Sequence, residues 1–241
     1  MGVLLLSEIR RIMRSPRFVI FTVVLPVAYF LLFSELYATG GPDDPQVLVV
    51  LMVNMAAFGG IAASITTGGR VAVERAVGWN RQLRLTPLPG WAYLGAKAVV
   101  SMLVALPSLV LVYALAALKG VMLDPGTWLA VFLAAWIGIL PFAAIGLLIG
   151  SLASQDSAQG MSMVTMLVFS LLGGILIPAQ VLPPVMLSIA HALPSFWMAN
   201  IASLEAFGGD LPLDGIAVMV AWFVVIGALA IWRYRRDALR V

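Results

Sequence analysis

A chain of 241 residues that is 62% hydrophobic and only 10% charged, with a mean hydropathy of +1.06, is not an ordinary soluble domain, where about a quarter of residues are charged. The net charge of +3 and pI of about 9.6 say less than the positions of the basic residues. With no cysteine, a disulfide, a thiolate metal site and a cysteine nucleophile are excluded.

Met1 to Arg17 reads as a short amphipathic helix. Val3, Leu5, Leu6, Ile9, Ile12 and Met13 gather on one side, with Glu8, Arg10, Arg11 and Arg14 largely on the other. Such a segment lies in the membrane interface rather than crossing it. A signal peptide is the competing reading, but the apolar run that follows is long and lacks an A-x-A-like cleavage site. The first span is about 18–37, since about 20 residues at 1.5 Å each cover a hydrocarbon core of about 30 Å. Pro26 inside it predicts a kink. The second span, about 47–67, is rich in Gly and Ala that permit close helix contact. Its strongly polar side chain, Asn54, reads as an interhelical hydrogen-bonding group or as a pathway contact.

Arg70 to Lys97 is the longest charged interruption, with Arg70, Arg75, Arg81, Arg84 and Lys97 against Glu74. The third span, about 98–118, carries Pro107, and the fourth, about 127–152, carries Pro141 and then Gly146-Leu-Leu-Ile-Gly150. That GxxxG pattern is a flat groove for another helix, read here as internal packing. Ser154 to Gln159 reads as a polar turn. The uncharged run from Ser157 to Leu204 is too long for one span. Reading it as two would put Arg233, Arg235, Arg236 and Arg240 across the membrane from Arg10, Arg11, Arg14 and Arg17, whereas clusters flanking spans closely prefer the cytoplasm. The fifth span is therefore about 160–178. The following stretch, broken at Pro183-Pro184 and Leu193-Pro194, enters and returns as a re-entrant helical hairpin before a sixth span at about 213–232.

This arrangement places all 14 Lys and Arg residues except Lys119 inside. Glu35, Asp43, Asp44, Asp124, Glu205, Asp210 and Asp214 fall outside. No span holds a carboxylate pair of the kind that marks a proton or ion pathway. The single histidine, His191, reads as a polar tip in the re-entrant element. Gly90 to Lys97 has Walker-like spacing only: the lysine is one position late, no Ser or Thr follows it, and no strand precedes it.

The Arg70–Lys97 stretch contains Glu74-Arg75, then Gly78, then Leu83-Arg84-Leu85-Thr86-Pro87, with Lys97 entering the next span. In this order, within a six-span topology, the chain resembles the ABC-2 type transporter permeases. Ile177-Pro178 through Pro183 and Leu193-Pro194 to Asn200 resemble that family's extracellular re-entrant hairpin. The resemblance covers essentially the whole chain, as one transmembrane domain (1–241). It departs at Ala76, where the family often has a second glutamate, and at Gly78-Trp79-Asn80, where the family often has Gly-Thr.

The resemblance implies an all-α polytopic fold, with a cytoplasmic coupling helix between the first pair of spans and the next. That helix would dock on a separate ABC ATPase through Glu74, Arg75, Gly78, Trp79, Arg84, Thr86 and Pro87. From the residues alone, docking and simple attraction of a basic loop to anionic lipid both fit. Pro178, Pro183, Pro184 and Pro194 would shape the re-entrant gate. The expected function is the permease subunit of an ATP-driven exporter of amphipathic or lipid-like cargo (drug, antibiotic or lipid-linked molecule). It would pair as a homodimer or heterodimer in the cytoplasmic membrane, with both termini inside. It would bind no cofactor, metal or nucleic acid and catalyse nothing, ATP and Mg belonging to the partner ATPase. An ion-gradient-driven carrier and an intramembrane lipid-modifying enzyme are the alternatives.

Overall fold

The computed structural model describes residues 12, 14–40, 45–78, 90–177 and 182–238. Among the described residues every regular element is helical. Helix α1 is assembled from Pro16–Val19, a π-helical turn at Ile20–Val24 and Leu25–Gly40. The irregularity expected at Pro26 takes this form. Its ring nitrogen cannot donate, and the Leu25 N–H just before it reaches back to the Ile20 carbonyl, one residue further than in an α-helix. The remaining helices are α2 (Pro45–Ala76), α3 (Gly90–Leu118), α4 (Pro125–Ile137), α5 (Leu140–Leu152), α6 (Gln155–Leu172), α7 (Pro184–His191), α8 (Pro194–Phe207) and α9 (Leu213–Ala238).

Four stretches are long and apolar enough to cross a membrane: Gln46–Ala76, Ala92–Leu118, Pro125–Leu152 and Leu213–Arg236. The pair α7–α8, bent by 86°, would be a fifth if it counts as one span. Ile20–Leu36 is apolar but shorter, and α6 begins with a polar turn. Six spans are thus met only in part by length and apolarity.

Three boundaries differ from the sequence reading, each for a local reason. The run Val71–Ala76, expected in a separate coupling helix, continues α2, because nothing between Thr67 and Ala76 breaks it. Gly78, at φ +76°, ends it in the left-handed region that glycine adopts without strain. The fourth span is split at Gly138–Ile139 into α4 and α5, where Pro141 withdraws a backbone donor. Ser154 to Gln159, read as a turn, is instead the start of α6. Ser154 caps the Ser157 N–H at 3.2 Å and Ser157 Oγ answers the Ser154 N–H at 3.0 Å, a reciprocal capping box. The helix stops at Leu172, short of Pro178. The N-terminal interfacial helix falls almost wholly outside the described residues.

Helix α2 is the axis of the molecule: 83% of its most apolar stretch is buried, against 11% for α9. It packs on α1, α3, α5, α6 and α8. Apolar burial adds little to helix association in a bilayer, so close packing must supply it. The residues at the α2–α5 crossing answer that need. A Cβ on Gly146 would stand 2.8 Å from the Ser64 carbonyl oxygen and 2.9 Å from Ile65 Cα, and one on Gly150 would stand 2.8 Å from Val71 Cβ. Gly68 of α2 faces the Gly146 backbone in return. The GxxxG groove is an internal packing surface, as the sequence reading has it.

Contacts between neighbouring helices sort into two ends. At one, Lys119 after α3 pairs with Glu35 of α1. Asp124 caps α4, accepting from the Thr127 N–H at 3.0 Å and the Thr127 hydroxyl at 2.6 Å; these donors hold its carboxyl below its ordinary pKa. At the other end lie the last turns of α2 and α5 and the first turns of α1, α3 and α6.

Candidate functional site

The last two turns of α2 are tied inward. Glu74 Oε1 accepts from Lys97 Nζ of α3 at 2.5 Å, and Glu74 Oε2 takes the Tyr93 hydroxyl. Lys97 is only 6% exposed, so its ammonium would be costly there without the carboxylate. Its Nζ also lies 5.7 Å from the Tyr93 ring centre, and Tyr93 stacks at 5.5 Å on Tyr234 near the end of α9. One turn earlier, the Arg70 guanidinium stands 5.8 Å from the Phe18 ring of α1.

Arg75 points the other way round the helix. Its guanidinium donates to the Ser151 carbonyl at 2.6 Å and to the Gly150 carbonyl at 3.2 Å. These belong to the last turn of α5, where carbonyls have no intrahelical partner and the helix dipole favours a cation. The Glu74-Arg75 pair singled out in the sequence therefore bolts α2 to α3 through its acid and to α5 through its base. Gly78 closes the helix just beyond. Trp79, Arg84, Thr86 and Pro87 lie outside the described residues, as does Pro178.

Two cavities flank α2. The one at the Arg70 end, about 280 Å³ between α1, α2 and α6, carries Thr66, Arg70, Gln155, Gln159 and Ser162 among its lining. Gln155 and Gln159 were invisible as lining residues while Ser154–Gln159 read as a turn; once the segment is helical, 155, 159 and 162 share a face. At the opposite end a cavity of about 230 Å³ is lined by Asn54 of α2, Gly173 and Gly174 after α6, and Phe196, Asn200 and Ser203 of α8. Asn54 is thus both buried and on a cavity wall. Pro184 and Pro194 stand at the first turns of α7 and α8 with Pro183 just before, where a missing N–H costs nothing. His191 is exposed, 4.7 Å from the Phe196 ring and 5.8 Å from the Trp197 ring.

A bundle of long apolar helices with charges gathered at its two ends and polar-walled cavities beside its central helix is the architecture of a membrane permease. The comparisons agree. Residues 1–204 match the ABC-2 type transporter family. The chain is also 30% identical over 234 residues to a Bacillus subtilis (strain 168) protein described as "Putative transport permease YvfS", covering 96% of each chain. The protein belongs to the ABC-2 type transporter family and is a transport permease by class.

Proposed function

We propose that this chain is the permease subunit of an ATP-driven exporter, energised by a separate ABC ATPase that docks on the segment following α2. One observation carries the reading. The helix leading directly into that segment also reaches the cavity at the far end of the molecule, at Asn54, and is clamped to α3 and α5 by Glu74 and Arg75. A displacement imposed beyond Gly78 is handed to the most buried helix rather than absorbed in a loop. Twenty-one residues separate Asn54 from Arg75, about 30 Å of helix at 1.5 Å per residue.

On this reading α6 completes six crossings: it runs beside α2 from the Arg70 end to the Asn54 end, and its 18 residues amount to about 27 Å. The bent pair α7–α8 is then the re-entrant gate, with Pro183, Pro184 and Pro194 setting its corners. The chain sits in the cytoplasmic membrane with both termini on the cytoplasmic side, and two permeases frame the pathway. The cargo is amphipathic or lipid-like, taken up at the polar cleft beside Arg70 and released past the Asn54 cavity. ATP and Mg are handled by the ATPase; this chain catalyses nothing and carries no cofactor.

Docking is tested away from Glu74 and Arg75, since both serve inside the permease. Replacing Trp79 and Arg84 together by alanine is expected to reduce co-purification of the partner ABC ATPase and to leave the permease's membrane yield unchanged. Full retention of the ATPase by that variant would place docking elsewhere. Cargo efflux that survives ATP depletion but stops with an ionophore would favour an ion-coupled carrier.

A further inference from the structure

A third cavity, larger than the two beside α2, takes no part in the proposed coupling. It lies between α4, α5, α8 and α9, encloses about 420 Å³, and is walled by hydrocarbon apart from Glu205. Its two ends differ. Met198 of α8 packs where α4 and α5 break, its Cγ 2.7 Å from where a Cβ on Gly138 would stand. Glu205 lies seven residues further along α8, about 10 Å away, with Leu211 and Ile216 beside it in the lining. Phe223, seven residues beyond Ile216 on α9, lines the deeper part. The groove therefore has one carboxylate end and one hydrocarbon end.

Glu205 is only partly exposed. Among the described residues it has no hydrogen-bond or ion-pair partner. At this end of the bundle the fixed cation is Lys119, and Glu35 already holds it. A carboxylate beside an apolar chamber is stabilised by a cation that brings its own hydrogen-bond donors. The chamber's size falls within the range of about 300–1,000 Å³ usual for small-molecule sites. At about 30 Å³ per water-sized group, it accommodates on the order of a dozen methylenes, the bulk of one alkyl tail.

We propose that this groove binds a single-chain amphiphile with a primary ammonium head, the head against Glu205 and the tail running between α8 and α9 toward Met198 and Phe223. Charge selects the head and the depth of the groove selects the tail. Helix α9, so little buried within the chain, leaves the groove a lateral approach from lipid. Binding here needs neither ATP nor a second subunit, so the site stands or falls separately from the coupling mechanism.

The test uses the full chain in phosphatidylcholine nanodiscs and a dodecylamine carrying a diazirine at the tail end. After photolysis, label is expected on the Met198–Ile201 and Met219–Phe223 peptides, with saturable uptake. Glu205→Gln should weaken that uptake roughly tenfold at unchanged thermal stability, and Glu205→Asp should retain part of it. Val220→Trp, which fills the groove and keeps the acid, should abolish tail labelling. The matching dodecanol probe should label the same peptides far less. Equal labelling by alcohol and amine, or uptake indifferent to Glu205→Gln, would overturn the proposal and leave a generic lipid groove. Protection by phosphatidylethanolamine but not by unlabelled dodecylamine would overturn the single-chain assignment.

Discussion

Lys97 and Glu74 show what a charged pair costs and contributes in a chain that is otherwise hydrocarbon. With Lys97 6% exposed, removing the acid takes away its carboxylate partner, and loss of one member of such a buried pair costs about 3–5 kcal/mol. Glu74→Gln is therefore expected to lower the unfolding midpoint of the purified permease strongly. The double change Glu74→Leu with Lys97→Met should recover most of the loss, because two apolar residues of similar volume make no demand for a partner. A double variant as unstable as the single would mean the pair's worth lies in its contact with Tyr93 and not in charge neutralisation. The acid and lysine were both visible in the sequence as members of the charged stretch. Their mutual pairing was not, since 23 residues separate them and they stand on two different helices, α2 and α3.

At the scale of elements, the α2–α5 crossing is decided by the absence of side chains. Gly146 admits the α2 backbone, whereas Gly160 on α6 has nothing within 4 Å of its would-be Cβ. The same substitution should act with opposite sign at the two positions. Gly146→Ala is expected to destabilise by about 1–3 kcal/mol through overpacking. Gly160→Ala should stabilise by up to about 1 kcal/mol, the difference in helix propensity. Unfolding of the two variants in the same detergent checks both, and destabilisation by both would count against this packing account. The glycine spacing was legible in the sequence as a groove; which helix filled it was not.

For the whole molecule, the absence of cysteine makes topology directly measurable. Single cysteines at Met122, which is 92% exposed, and at Asp210 should react with a membrane-impermeant maleimide in intact cells. Cysteines at Gln155 and Arg235 should react only after permeabilisation. Labelling of Arg235→Cys from outside would break the even number of crossings on which the proposed coupling mechanism depends. Lys119 meets Glu35 at one end of the bundle and Arg75 meets the close of α5 at the other, so the helices through α5 alternate in direction; labelling decides the count beyond them.

The sequence by itself determined the class and the general plan. Long uncharged runs demand helices in a bilayer, because every backbone polar group must be satisfied within its own segment, and the general preference of Lys and Arg for the cytoplasmic flanks gives the expected orientation. Prolines and glycines marked where helices begin and where they break. Tertiary structure alone decided what the polar residues do. Whether Glu74 and Arg75 face a partner or their own bundle depends on which helices stand three and four residues around the cylinder. Whether Glu205 is an ordinary interfacial acid or the polar wall of an apolar chamber depends on α4, far away in sequence, and on how α9 folds back beside α8. Periodicity records which face a residue is on; only packing supplies what that face meets.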